Sequence, residues 1–333
     1  MRLPLVGIVL FIVVVVASNE AKPMAPGGTI LTPDELNHLV CGAIAGGVAR
    51  LFVAPLDLIK IRFQIQDKSA PAQYSGIVQS IRRILATEGI RAFWKGNLSA
   101  ELMVVPYVAI QFATFHLSHR HLIELAPQLP SPVYDLASGS VAGITATTCV
   151  YPLDLIRTRM AAQQMRRAKF TETIRQSWAV GGVRELYRGL WPTLAGIIPY
   201  AALQFGLYGQ FNEIGKNFFK EKSAENIGVI HFWSGFFGGL GSKLLTMPFD
   251  VIKKRMQVSG YQWRSDQSLG SGKISGGVIN CGLQIARKEG FPALYKGCSA
   301  SLLKSGPNSA ITFFTFELCR KWLRPKEGGK ISD

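Results

Sequence analysis

Apolar and polar stretches alternate along the chain, and six of the apolar stretches are long enough to form helices that cross a bilayer. Such a helix needs about 20 predominantly apolar residues. The pattern predicts spanning helices near residues 35–66, 98–118, 132–163, 191–211, 228–259 and 299–319. The predicted fold class is therefore an all-α membrane protein whose helices come in three consecutive pairs.

The polar segment inside the first pair has an apolar periodicity of its own. Ile77, Ile81, Ile84 and Leu85 recur at helical spacing, with arginines between them. A helix with one apolar and one basic face is typical of a segment that lies along a membrane surface. We therefore predict an amphipathic helix here.

One motif, proline–x–acid–x–x–base–x–arginine, occurs three times. It starts at Pro55, Pro152 and Pro248, at intervals of 97 and 96 residues (152 − 55 and 248 − 152). A pair of glycines four residues apart precedes each proline, and an aromatic–base–glycine triplet follows it. A fixed period indicates internal repeats. Within each repeat, the paired glycines favour close helix packing in lipid, and the proline bends its helix.

The period divides the chain into an N-terminal extension, three repeats and a short tail: 1–33, 34–125, 126–222, 223–326 and 327–333. An uncharged run behind Arg2 resembles the apolar core of a secretory signal, but it is too short for a comfortable membrane span. It also stands outside the threefold repeat, and Met24 offers an alternative start. We interpret residues 1–23 as an extension, with a genuine secretory signal as the alternative.

Composition and charge support the membrane interpretation. Hydrophobic residues make up 48% of the chain and charged residues 17%, and the net charge is +16 (37 − 21). Such a charge favours an anionic lipid surface or an anionic substrate. The basic residues are not gathered in one stripe, which argues against nucleic acid. Five scattered cysteines without a paired spacing predict neither a disulfide framework nor a metal site: Cys41, Cys149, Cys281, Cys298 and Cys319.

Each repeat places a carboxylate and a base just after its proline, at membrane depth. A charge there is costly unless it is partnered. Threefold symmetry predicts pairs between repeats: Asp57 with Arg157, Asp154 with Lys253, and Asp250 with Lys60. The alternative is a pair within each helix at i,i+3, which contributes only a few tenths of a kcal/mol.

The repeated motifs resemble the mitochondrial carrier family from Asp34 to Arg324. The middle repeat departs from the family pattern, with Gly181-Gly182 where acid–glycine is expected. The resemblance implies a six-helix, threefold pseudosymmetric transporter of the mitochondrial inner membrane. It further implies a functional monomer, no cofactor and no catalytic or metal-binding residue, with cardiolipin as a lipid partner.

The resemblance also implies that the three inter-repeat pairs form a gate on the matrix side, braced by Gln64 and Gln257. The middle repeat has Ala161 at the corresponding position, so two braces are expected. On the cytosolic side, the family pattern of aromatic–acid–x–x–base is met only by Glu317 and Arg320. Since one charged pair cannot close a ring, we expect polar or apolar contacts to close that side.

Candidate substrate contacts are the mid-helix positions at which the three repeats differ, because a substrate site does not need symmetry. Arg50, Thr147 and Lys243 stand five residues before the prolines on the odd-numbered helices. On the even-numbered helices, the family resemblance adds Met103, Gly196, Ile197 and Lys304. Tyr200 would stack on a flat heterocycle. Gln111 and Gln204 would bind either ring edges or a neighbouring helix.

Three cations and one aromatic ring suit a small anionic phosphorylated substrate that carries a heterocycle. Glu101 is expected to pair with a cation, the alternative being a positive group on the substrate. The runs 57–66, 74–77, 92–96, 199–205 and 250–257 resemble the family members that carry thiamine pyrophosphate. This implies its exchange, against nucleotides, by alternating access. The alternatives are a carrier of coenzyme A or adenine nucleotides, and a non-transporting adaptor or proton-leak protein.

Overall fold

The computed structural model describes residues 33–66, 74–128, 130–164, 169–218, 227–261 and 277–323. The apolar N-terminal leader and the C-terminal tail discussed above lie outside these residues. The described residues form helices and no strands. In chain order the helices are α1 (Pro33–Ile65), α2 (Ile77–Thr87), α3 (Asn97–Leu125), α4 (Ser131–Ala162), α5 (Phe170–Leu186), α6 (Leu190–Phe218), α7 (Ile227–Val258), α8 (Val278–Glu289) and α9 (Cys298–Leu323).

The six long helices occupy the six stretches predicted from the apolar pattern, and each begins at or just before its predicted start. The second long helix of each repeat continues one or two turns beyond the apolar run; these helices are α3, α6 and α9. Judged by length and composition alone, two described segments could cross a membrane, Ile90–Leu125 and Leu190–Phe218. Helices α1, α4 and α7 carry the charged motif within their length.

The long helices close into a ring. The most extensive packing joins α3 to α4, α6 to α7 and α9 to α1, so the second helix of each repeat packs on the first helix of the next. The contact of α9 with α1 closes the circle within one chain. The motif-bearing helices α1, α4 and α7 also contact one another. This arrangement gathers the three motifs at one end of the ring.

Helix α2 lies where the amphipathic pattern predicted it. Ile84 is fully buried, and Ile77 and Ile81 pack against the same apolar cluster. Leu85 is 43% exposed, so the fourth apolar position lies at the edge of the buried face.

Glycines of the aromatic–base–glycine triplets fix the start of the next long helix. Gly96, Gly189 and Gly297 have φ values of 78°, 84° and 83°, a region in which side chains are strained. A Cβ on Gly96 would lie 2.7 Å from the carbonyl oxygen of Arg157, and one on Gly297 would lie 3.1 Å from that of Lys60. The triplet recurs because each glycine lets the next repeat's charged motif approach closely.

The proline bend of α1 has a specific polar partner. Pro55 has no N–H, so the carbonyl of Leu51, four residues earlier, loses its helical hydrogen bond. The indole Nε1 of Trp94 donates to that carbonyl at 2.9 Å. The corresponding residues of the other repeats are Tyr187 and Tyr295, which lack an indole N–H.

Replacing Trp94 by Phe should therefore lower thermal stability in detergent, by about 1 kcal/mol for one lost hydrogen bond. Tyr295→Phe is the matched control, because the Tyr295 hydroxyl has no hydrogen bond to any residue that the structure describes. Equal losses in the two variants would show that the indole hydrogen bond contributes nothing specific.

Candidate functional site

A charged ring of three aspartates and three bases lies where α1, α4 and α7 converge. The Nη2 atom of Arg157 is 2.8 Å from Oδ2 of Asp57, and Nζ of Lys253 is 2.9 Å from Oδ2 of Asp154. Nζ of Lys60 is 3.7 Å from Oδ2 of Asp250. All three pairs join different repeats, as the threefold symmetry predicted.

Each of these aspartates also contacts a second cation. Lys304 lies 2.5 Å from Asp57, Lys243 lies 2.5 Å from Asp250, and Lys254 lies 3.4 Å from Asp154. Among the described residues, six cations thus contact three carboxylates, an excess of three positive charges (6 − 3). The site is therefore suited to an anion of high charge density.

The role of Lys254 was missed at the level of sequence. It occupies the variable position between the last two bases of the third motif, where the other repeats have Ile61 and Thr158. Its Nζ donates to Oγ1 of Thr158 at 2.7 Å and to Oε1 of Gln257 at 3.1 Å. A lone lysine among apolar and hydroxyl residues at one repeat position was the available signal.

The two expected glutamine braces differ. Nε2 of Gln257 donates to Oδ2 of Asp154 at 2.9 Å, so it supports the aspartate that Lys253 binds. Gln64 is fully buried, yet neither its amide nitrogen nor its oxygen has a hydrogen bond to a described residue. The expectation of a second brace is wrong for this conformation. The pair without a brace, Lys60 and Asp250, has the longest distance in the ring, and Asp250 lies closer to Lys243.

A second layer of buried arginines lies beyond the ring, and sequence reasoning assigned it no role. Nε of each donates to a backbone carbonyl of the next repeat: Arg62 to Ala161, Arg159 to Gln257 and Arg255 to Gln64, at 3.1, 3.0 and 3.1 Å. Each guanidinium also binds a glutamate of its own repeat, namely Glu88, Glu185 and Glu289. The last base of the motif therefore ties neighbouring repeats together.

Glu88 shows how this layer holds its charges. It accepts hydrogen bonds from Arg62 at 2.9 Å and from Lys95. Burial disfavours a charged carboxyl, but the bonds and charges of Arg62 and Lys95 outweigh it and hold the pKa of Glu88 below its ordinary value.

In the middle repeat, Glu185 replaces the acid that the motif lacks. The backbone leaves helical geometry at Gly181 and Gly182, and Glu185, about one turn later, reaches Arg159. Glu185 lies 26 residues after Arg159, the same separation as Glu88 from Arg62. The departure in sequence is therefore compensated in structure.

Two of the predicted substrate cations are part of the charged cluster, and the third is near it. Lys243 and Lys304 contact ring aspartates, and their side chains are 33% and 29% exposed. Arg50 donates to the carbonyl of Ala100 at 3.2 Å. Thr147 and Met103 are half-buried.

Glu101 forms no ion pair within the described part of the chain, contrary to the expectation that it pairs with a cation. It is attracted by Arg50 and Arg157 at longer range, and its Oε1 has no hydrogen-bond partner. Arg50 binds the neighbouring carbonyl of Ala100 instead. One carboxylate oxygen therefore has its bonding capacity unused.

The remaining predicted contacts divide between helix packing and exposed positions. Gly196 lies against Phe249, and Ile197 packs against Gly143, so both occupy helix–helix contacts. Tyr200 is 36% exposed. Gln111 is half-buried and Gln204 is exposed, and neither hydrogen-bonds to a described residue, so the interhelical alternative is not observed.

Comparison with known proteins decides the family. A family model described as mitochondrial carrier protein matches residues 33–125, 128–219 and 227–327. The chain belongs to the mitochondrial carrier family. It is therefore a multi-pass transporter of the mitochondrial inner membrane.

Three similar carriers are named for the same substrate, thiamine pyrophosphate, which is also called thiamine diphosphate. Mitochondrial thiamine diphosphate carrier 2 of Zea mays is 37% identical, over 87% of this chain and 94% of the relative. Mitochondrial thiamine pyrophosphate carrier 1 of Meyerozyma guilliermondii is 38% identical, over 86% and 94%. The human mitochondrial thiamine pyrophosphate carrier is 37% identical, over 84% and 89%.

The opposite end of the carrier has a different chemistry from the charged ring. Glu317 and Arg320 pair within α9 at 3.2 Å and i,i+3 spacing. Nε2 of His119 lies 3.3 Å from Asp135, and the Tyr208 hydroxyl lies 2.7 Å from Nδ1 of His231. The contact of His119 with Asp135 joins α3 to α4, and that of Tyr208 with His231 joins α6 to α7. Polar contacts between neighbouring helices therefore occur at this end.

Proposed function

We propose that this carrier transports thiamine pyrophosphate across the inner membrane by alternating-access exchange, with nucleotides as counter-substrates. The observation that carries the proposal is the excess of three positive charges around Asp57, Asp154 and Asp250. A diphosphate supplies several charged oxygens on one short group, and each forms strong hydrogen bonds with ammonium donors. Lys243 and Lys304 are the residues assigned to it.

The cationic part of the substrate has a candidate partner in Glu101. Thiamine pyrophosphate carries a positive thiazolium and an aminopyrimidine besides its diphosphate. An unpaired carboxylate oxygen in a half-buried position is costly unless a partner arrives. Glu101 thus supports a substrate that is not uniformly anionic, which favours thiamine pyrophosphate over coenzyme A and adenine nucleotides.

In the proposed cycle, the charged ring is the matrix-side gate, formed by Asp57, Lys60, Asp154, Arg157, Asp250 and Lys253. Gln257 braces one of its pairs. Glu317 and Arg320 belong to the cytosolic-side gate. Because α9 closes on α1, one chain contains all six helices of the ring, which supports a functional monomer. Cardiolipin stays our predicted lipid partner.

Variants of Lys304 and Tyr200 test the substrate assignment, because the two substitutions should affect transport in different ways. Lys304→Ala should weaken transport of all phosphorylated substrates together, since they share the anionic group. Tyr200→Ala should cost less, about 0.5–1.5 kcal/mol of stacking, and should change the order of preference. The measurement is competition uptake into liposomes with thiamine pyrophosphate, nucleotides and coenzyme A.

The control is Lys321→Ala, which removes an exposed lysine from the same helix. Ionic strength is held constant, because screening alters charge-dependent binding. Full activity of Lys304→Ala, or an unchanged preference order in Tyr200→Ala, would remove these residues from the site. Absence of thiamine pyrophosphate uptake by the unaltered carrier would refute the proposed function.

A further inference from the structure

We propose that Asp250 and Asp57 are internal competitors of the substrate: in the empty carrier their carboxylates occupy the lysines that bind the diphosphate. This inference rests on the proposed function and adds residues that set affinity. Removal of either carboxylate should therefore tighten anion binding although it damages the gate.

The inference rests on the distances between the aspartates of the ring and the cations around them. Asp250 lies 2.5 Å from Lys243 but 3.7 Å from its gate partner Lys60. Asp57 lies 2.5 Å from Lys304 and 2.8 Å from Arg157. In both cases the carboxylate lies within hydrogen-bond distance of the proposed substrate lysine. The two carboxylates thus bind the substrate lysines at least as closely as they bind the gate.

A carboxylate oxygen and a phosphate oxygen offer an ammonium group the same kind of charge-assisted hydrogen bond. Lys243 and Lys304 are 33% and 29% exposed, so both side chains are accessible to solvent. An arriving diphosphate must compete with Asp250 and Asp57 for them. The energy of breaking those two contacts is subtracted from the binding energy of the substrate.

Asp154 is not expected to compete in this way. Its second cation, Lys254, is only 13% exposed and also donates to Thr158 and Gln257. Asp154 itself is held by Gln257 as well as by Lys253. The ring therefore contains two aspartates shared with the substrate site and one that belongs to the gate alone. Asp154→Asn can therefore serve as a control that makes the same chemical change as Asp250→Asn.

The test compares Asp250→Asn with Asp154→Asn in the purified full-length carrier in detergent. Binding of thiamine pyrophosphate and of inorganic pyrophosphate is titrated, and exchange is measured after reconstitution. Asp250→Asn should bind both ligands about tenfold more tightly, since the ligand no longer has to displace a charge-assisted hydrogen bond from Lys243. Its exchange rate should fall. Asp154→Asn should lose exchange while its affinity stays within about twofold of the unaltered carrier.

The double variant Asp250→Asn with Lys243→Ala should lose the gain in affinity, because the released lysine is then absent. Asp57→Asn provides a second, independent variant that should gain affinity through Lys304. Unliganded thermal stability, measured for every variant, identifies any that fails to fold.

Equal affinity changes in Asp250→Asn and Asp154→Asn would overturn the inference, because they would reflect general loss of negative charge. No gain in either Asp250→Asn or Asp57→Asn would overturn it as well. If pyrophosphate binding tightens as expected while the unaltered carrier does not transport thiamine pyrophosphate, the competition stands and the proposed substrate fails.

Discussion

Asp57→Asn is expected to reduce exchange by at least about tenfold, because loss of one partner from a largely buried ion pair costs about 3–5 kcal/mol. The side chains of Asp57 and Arg157 are 14% and 21% exposed, so water compensates little for the lost carboxylate. Arg157 would be left without its partner at the point where the helices converge. Exchange of labelled substrate in liposomes measures the effect.

A reversed pair tests whether the contact itself matters. Arg157→Asp combined with Asp57→Arg should restore part of the exchange, but only part, because the guanidinium introduced at position 57 would face Lys304. Glu213→Gln is the control, since Glu213 is exposed and lies outside the ring. Normal exchange by Asp57→Asn would show that the inter-repeat pair is not a gate.

Glu185→Gln is expected to destabilise the carrier by about 3 kcal/mol, because it leaves the buried guanidinium of Arg159 without a carboxylate. Arg159 is fully buried, and its other contacts among the described residues are the Gln257 carbonyl and the ring of Tyr261, 4.3 Å from the guanidinium carbon. Thermal unfolding of the purified carrier in detergent measures the loss. Glu213→Gln, at an exposed position of α6, is the control.

Gly181→Glu in the Glu185→Gln background should recover part of that stability, since it restores the acid–glycine order of the other repeats. A Cβ added at position 181 would lie 3.1 Å from the Cβ of residue 185, so the recovery should be only partial. A stability loss no larger than that of the control would mean that Glu185 does not replace the missing acid.

The threefold pattern was sufficient to predict the architecture. Helix positions follow from runs of apolar residues, and the pairing of Asp57 with Arg157 follows from symmetry together with the cost of an unpartnered charge in the membrane. These predictions succeed because each depends on a local pattern or on a relation repeated in every third of the chain.

Predictions failed where one repeat differs from the others. Gln64 was expected to act as Gln257 does, yet its amide has no hydrogen bond to a described residue. Glu101 was expected to pair with a cation, but Arg50 binds the carbonyl of Ala100 instead. Hydrogen-bond partners depend on separations of a few tenths of an ångström, which residue types do not specify.

The sequence by itself determined the membrane class, the three repeats, the six long helices and the residues of the charged ring, because periodicity and the cost of buried charge are properties of the chain. Only the tertiary structure decided which cations share each aspartate. Lys243 reaches Asp250 from two turns away on the same helix, but Lys254 reaches Asp154 from another repeat, and the closing of α9 on α1 brings Lys304 to Asp57. Two of the three additional positive charges therefore depend on helix packing, since contacts between residues 100 and 247 positions apart exist only after the ring has closed.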